Sequence, residues 1–194
     1  MQPWEALPAV ALYPTSGSIT RAFLARGIGD FQAAARHLHH LPYGRNTNRA
    51  DFRLVLDEER GTCSTKHALL AELSHEQQIL VVLTLGIYAM HERNTPGVGG
   101  ILEKYGLSCL PEAHCYLTYA GRRIDITRSG VESTEPITRF FHEEAITPAG
   151  IGAYKVEVHQ HYVRTWLVNE RGVAGRTFAE IWKIREECIA ALAQ

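Results

Sequence analysis

Three side chains have the types that acyl-group chemistry requires: Cys63, His114 and Asp125. A thiol attacks a carbonyl only as the thiolate, the thiolate needs a base, and the base needs a group that holds its ring. Cys63 stands in "RGTCSTKHALLAEL" (60–73), between Gly61 and a run at helical period. The spacing predicts a helix over Cys63 to Leu73, with Thr62, Ser64 or Thr65 able to cap its first turn. The unpaired N–H groups and the positive dipole end at a helix N-terminus favour thiolate over thiol. The same N–H groups can form half of an oxyanion hole. Gly61 lets a turn or a substrate approach the backbone closely.

The other two residues fall in "EAHCYLTYAGRRIDIT" (112–127), where two β-rich runs flank "YAGR" and Gly121 can take positive φ. With Ala120 and Gly121 as a two-residue turn, 119 pairs with 122, 118 with 123, and Asp125 faces Tyr116. His114 is then its diagonal neighbour on the same face, within side-chain reach. A loop of odd length would put the two on opposite faces. Cys115 must point away from the His114 face.

Other readings compete. Cys63 could be a buried inert thiol, as free cysteines often are. It could be a zinc ligand with His67, one helical turn away, and with His114 or Cys115 on the strand. His37, His39 and His40 in "HLHH" and His159 and His161 in "HQH" widen that choice. However, no CxxC, HExxH or paired knuckle is present, and His39, His40 and His161 read as surface or interface positions. Lys66 and His67 flank the cleft or pack on the helix. A catalytically inactive module that only binds is the third alternative. Iodoacetamide labelling at neutral pH, copurified zinc, or neither would separate the three.

The order Cys, His, Asp on a helix and two adjacent strands resembles the transglutaminase-like branch of the papain-like cysteine enzymes. The resemblance rests on "GTC" (Gly61, Cys63), on "HCY" with an aromatic two positions after His114, and on "DIT" (Asp125 to Thr127). It covers roughly Arg60 to Thr127. It implies a papain-like core, a Cys63 nucleophile, a His114 base and an orienting Asp125, acting on amide bonds through a thioester without a cofactor or metal. Where the family often carries tryptophan, this chain has Ser64, Cys115 and Tyr116, and no acidic cluster suggests calcium sites. Hydrolysis of a peptide, isopeptide or small amide is therefore expected over crosslinking, with acyl transfer open. The family also completes its oxyanion hole with an upstream side chain, and "YGRNTNR" offers Tyr43, Asn46 or Asn48. Arg45 and Arg49 could instead bind a substrate carboxylate. The bland alternative is a loop whose side chains cap backbone groups.

Several elements must position these residues. "SGSITRAFLARGIGDFQAAARHLHHL" (16–41) predicts two helices divided near Gly27 and Gly29, the first capped by Ser16 or Ser18. "PYGRNTNR" is loop chemistry, and "FRLVLDEER" is ambiguous between strand and helical turn. Ile79 to Met90 is apolar and β-branched, as expected of a strand covered on both faces. "TPGVGGILEKYG" (95–106) predicts a helix with Pro96 near its start and Gly106 near its end. "EPITRFFHEEAI" (135–146) reads as a short helix. "AYKVEVHQHYVRTWLV" (153–168) reads as a long alternating strand with Tyr154, Val156, Val158 and Tyr162 on one face. "TFAEIWKIREECIAAL" (177–192) predicts an amphipathic helix. Helices first, strands in the middle and a closing helix indicate α+β with a mainly antiparallel sheet carrying the Cys63 helix.

The bulk numbers agree. At 194 residues, 45% hydrophobic and 21% charged, the chain suits one domain, with a helical part over about 1–50, a core over about 51–170 and a last helix over about 176–192. A net charge of −1 with no basic run gives nucleic-acid or membrane-surface binding no support. The N-terminus lacks the pattern of a signal or transit peptide, and the longest apolar run is too short for a bilayer, so a cytoplasmic location is expected. The four irregularly spaced cysteines fit unbridged thiols, with Cys109 and Cys188 in apolar, core-like contexts.

Overall fold

The computed structural model describes residues 2–14, 17–130, 134–169, 173 and 175–193. The apolar run forms strand β1 (Val82–Met90), which starts three residues later than the pattern indicated. It pairs antiparallel with β2 (Leu110–Tyr119), from Val82 opposite Thr118 to Met90 opposite Leu110. Ala120 and Gly121 then turn the chain with φ of 48° and 74°, the two positive values of a tight hairpin, into β3 (Arg122–Ile124). Leu117 faces Ile124 and Tyr119 faces Arg122, which is the expected register.

The segment 135–146, expected as a helix, instead ends in strand β4 (His142–Ala145) on the other edge of β1, giving the order β3-β2-β1-β4. Phe141 N–H donates to the Ile87 carbonyl at 2.7 Å and Ile146 N–H to the Leu83 carbonyl at 2.9 Å. Satisfying the open edge of β1 outweighs a weak local helix preference. His142, Glu143 and Glu144 give the new edge a charged, non-adhesive character.

Register sorts the sheet into two faces. Leu83, Leu85 and Ile87 join Ala113, Cys115 and Leu117 in a core shared with α1 (Ser18–Leu24), α2 (Phe31–His40), α3 (Leu54–Glu58) and α4 (Cys63–Glu76). The opposite face carries Tyr88, Glu112, His114 and Tyr116. There Tyr88, Met90 and Leu110 form a second cluster with α5 (Gly99–Lys104) and α7 (Phe178–Ala191). The architecture is therefore mixed α+β around one small antiparallel sheet, with α4 packed against β2.

The largest departure is the stretch read as an alternating strand, which is helix α6 (Ala153–Asn169). Its buried stripe is Lys155, His159 and Val163, one residue in four, while Tyr154 and Val156 are exposed. Two of the three buried positions are polar, so hydrophobic periodicity pointed the wrong way.

Smaller corrections concern caps and exposure. Ser18 opens α1 without capping it; Glu76, from the far end of α4, accepts from the Ile19 and Thr20 N–H groups at 3.0 and 2.7 Å. Ser16 lies outside the described residues. His39, expected at the surface, is buried against Trp4, and Cys109 is only half-buried while Cys188 is in the core. Among the described residues no helix is long and apolar enough to cross a membrane.

Candidate functional site

Cys63 is the first residue of α4. Thr62 caps the helix reciprocally with Thr65: its hydroxyl accepts from Thr65 N–H at 3.5 Å, and the Thr65 hydroxyl accepts from Thr62 N–H at 3.0 Å. Just before it, Gly61 bridges to the 42–44 loop, donating to the Pro42 carbonyl and accepting from Gly44 N–H, each at 3.2 Å. A Cβ at Gly61 would come within 2.9 to 3.1 Å of Lys66, Thr65 and Val55. What approaches this backbone closely is thus the packed first turn of α4, together with Val55 of α3.

His114 Nε2 is 2.6 Å from Asp125 Oδ2. Asp125 Oδ1 accepts from the Thr127 N–H at 2.9 Å and from the Thr127 hydroxyl, so the carboxylate is held on both oxygens. Cys63 and His114 border the same cavity, and each favours the charged form of the other. Because Nε2 serves Asp125, Nδ1 is the ring nitrogen left for the thiol. The structure therefore brings Cys63, His114 and Asp125 to the wall of one cavity. Cys115 faces away, into the first core.

Charges around these residues favour their ionised forms. Burial by itself pushes the Cys63 thiol up, but the Lys155 and His114 charges bring it down to about 6. Burial would lower His114, yet Asp125 and Cys63 raise it well above the usual imidazole range. Lying in a pocket would raise Asp125, but His114 and the Thr127 hydroxyl hold it well below the ordinary carboxylate range, although its side chain is 44% exposed.

His67 braces the same site. Its Nε2 accepts from the Ile126 N–H at 2.9 Å, so Nδ1 carries the proton and donates to the Cys63 carbonyl at 2.8 Å. Burial holds it neutral, with its pKa down to about 4. Both ring nitrogens are used, which leaves no lone pair for zinc. Among the described residues no group of three or more His, Cys, Asp or Glu is placed to hold a metal. Lys66, fully buried, donates to the Leu41 and Thr127 carbonyls at 2.6 and 2.9 Å and ties the upstream loop to the Asp125 strand end.

Cys63 lies between two cavities. One, of about 380 Å³, contains His114, Asp125, Tyr88, Tyr116, Phe140 and Arg128 in its walls. The other, of about 220 Å³, contains Ser64, Lys155, Arg45, Arg49 and Arg185. Tyr43, Cys63, Glu112 and Ile189 border both.

The upstream candidates separate clearly. Tyr43 reaches the site: burial first, then the Cys63 charge, raises its pKa, and among the described residues its hydroxyl has no hydrogen-bond partner. Asn46 borders the smaller cavity, but its donor is spent, Nδ2 donating to Glu58 and to the Arg60 carbonyl at 3.1 and 3.0 Å. Asn48 is exposed and accepts from Ala50 N–H at 3.0 Å, a loop cap. Arg45 pairs with Glu186 at 2.7 Å and Arg49 with the same carboxylate at 3.7 Å.

Sequence reasoning missed Lys155, Thr127, and the buried pair Glu112–Arg185. Thr127 was visible as the third residue of "DIT". Lys155 was hidden by the strand reading of its helix, although Lys155, His159 and Val163 recur at a spacing of four. No protein family, curated protein or solved structure matches the chain. A thiolate, a cationic imidazole held by a carboxylate, and nearby N–H and hydroxyl donors are the parts needed for acyl transfer to sulfur.

Proposed function

We propose that the protein is a cysteine hydrolase of transglutaminase-like type, with a papain-like core, that cleaves an amide bond through a thioester on Cys63. The observation supporting this reading is the 2.6 Å contact between Asp125 and His114, whose ring shares a cavity wall with Cys63. The thiolate attacks the carbonyl carbon, and the carbonyl π electrons move to oxygen. The resulting oxyanion accepts hydrogen bonds from the N–H groups of the first turn of α4 and from the Tyr43 hydroxyl. As the tetrahedral species collapses, the C–N bond breaks and the amine takes the proton from His114 Nδ1. Water then attacks the thioester while neutral His114 takes its proton. Expulsion of the thiolate releases the acid and restores the ion pair.

The test is a panel of amide and ester substrates run with wild type and Cys63→Ala, with intact-mass detection of an acyl adduct. A hydrolysed substrate and an adduct on wild type alone support the reading. Turnover that survives Cys63→Ala overturns it, as does a Cys63 that alkylates only in the free-thiol range near pH ~8.5.

A further inference from the structure

The proposed mechanism gives one buried charge, Lys155, a task only while Cys63 is ionised. Lys155 is 9% exposed, its ammonium donates to Ser64 Oγ at 2.7 Å, and among the described residues no carboxylate lies within ion-pair distance. An ammonium has three donors, and burying one without a counter-ion is costly. In the resting site the Cys63 thiolate is an anion close to it, with its sulfur 3.8 Å from the same Ser64 hydroxyl, while Glu112 is engaged by Arg185. Acylation removes that anion, because a thioester is neutral. The ammonium then needs another.

Lys155 faces the 220 Å³ cavity, where cations outnumber carboxylates. Arg185 holds Glu112 through two nitrogens, at 2.7 and 2.5 Å, and Glu186 at 2.7 Å. Arg45 and Arg49 share Glu186 as well. Lys155, Arg45, Arg49 and Arg185 thus stand against two carboxylates, leaving positive charge unmatched beside Cys63. His114 and Asp125, by contrast, border only the larger cavity. The leaving amine takes its proton from His114 and so departs there. The acyl portion is left facing Lys155.

Resting on the cysteine-hydrolase reading, we infer that the acyl portion of the substrate carries a carboxylate, bound by Lys155 with Arg45 and Arg49 at the rim. The cavity is smaller than the ~300–1,000 Å³ typical of sites for drug-sized ligands, which fits a short acyl chain. The substrate class is the monoamide of a short dicarboxylic acid, of succinamate or glutaramate type.

The experiment compares Cys63 alkylation by iodoacetate and iodoacetamide, with free cysteine as reference. Both react by the same displacement, in which an S–CH₂ bond forms, the C–I bond breaks and iodide leaves. They differ in carrying a carboxylate or a neutral amide. The iodoacetate-to-iodoacetamide rate ratio of wild type should exceed that of free cysteine by about tenfold. Lys155→Met should remove the preference and Lys155→Arg should keep it. Arg49→Gln, at an exposed rim position, should reduce it even if Lys155→Met fails to fold. Lys183→Gln, on the exposed side of α7, controls for net charge and should change nothing. A wild-type ratio equal to that of free cysteine, or one unaltered by Lys155→Met, overturns the carboxylate subsite while leaving the hydrolase reading intact. Labelling by neither reagent overturns both.

Discussion

His114 and Asp125 meet across the β2–β3 hairpin through a 2.6 Å contact at Nε2, although Asp125 lies one residue beyond the last pair of β3. The contact engages Nε2, which leaves Nδ1 as the nitrogen that handles the transferred proton. Asp125→Asn keeps the shape and changes the polarity of the bond. Turnover should fall by ~10²–10⁴-fold while iodoacetamide still labels Cys63. Thr127→Val removes one of the two Thr127 donors on the carboxylate and should have a smaller effect in the same direction. Equal turnover in wild type and Asp125→Asn would remove Asp125 from the mechanism.

The ion pair predicts a low threshold for thiol reactivity. Burial opposes ionisation, but Lys155 and His114 outweigh it and bring the Cys63 thiol to about 6. Alkylation rates measured against pH should therefore rise near pH 6 and stay level through neutrality. A free thiol would still be rising toward pH ~8.5. Cys63→Ala should abolish labelling at this site. His114→Ala should move the rise upward without eliminating it, because Lys155 and the α4 N-terminus remain.

Glu112 and Arg185 predict an acid limb of stability. Burial alone would raise the Glu112 carboxyl, but Arg185 and His159 bring it down to about 2. Its folded value lies below its unfolded value of ~4.3, so the stabilisation is complete above that pH and is lost as pH falls toward 2. The difference corresponds to roughly 3 kcal/mol at neutral pH. Glu112→Gln should lower unfolding free energy by about that amount at pH 6, and the gap to wild type should shrink by about half at pH 3. Urea unfolding at the two pH values reads this directly. A gap independent of pH would rule out the linkage.

His67 holds Cys63 and Ile126 together through one ring. Replacing it with leucine leaves the Ile126 N–H and the Cys63 carbonyl unsatisfied inside the core. His67→Leu should cost about 2–4 kcal/mol in thermal or urea unfolding. Because both nitrogens are occupied, 1,10-phenanthroline should leave the Cys63 alkylation rate unchanged. Loss of reactivity on chelation would favour a metal at Cys63.

Some of this site is local in origin and was legible before any fold was known. Thr62 and Thr65 can cap only the helix they begin, and Ala120–Gly121 can make only a tight turn. Those two facts place Cys63 at a helix N-terminus and bring Asp125 within diagonal reach of His114. Backbone geometry over a few residues is enough for both, because capping and hairpin parity depend on near neighbours. The closing helix over 178–191 was legible for the same reason, since its period is carried by apolar residues.

What only the tertiary structure decided are the features whose stabilising partners lie far along the chain. Strand β4 exists because β1 offers an open edge some 60 residues earlier, as in Thr84 opposite Ala145. Helix α6 buries Lys155 and His159, which no hydropathy pattern would place inside, because Ser64, Pro111 and Glu112 await them there. Asn46, Arg45 and Tyr43 were indistinguishable as neighbours in a polar loop. They were separated only when Glu58 and Arg60 engaged the first, Glu186 paired with the second, and a cavity wall beside Cys63 was left to the third. Hydrogen bonds and ion pairs cost too much to leave unmade in a core, so distant partners, and not local propensity, choose which polar residues go inside.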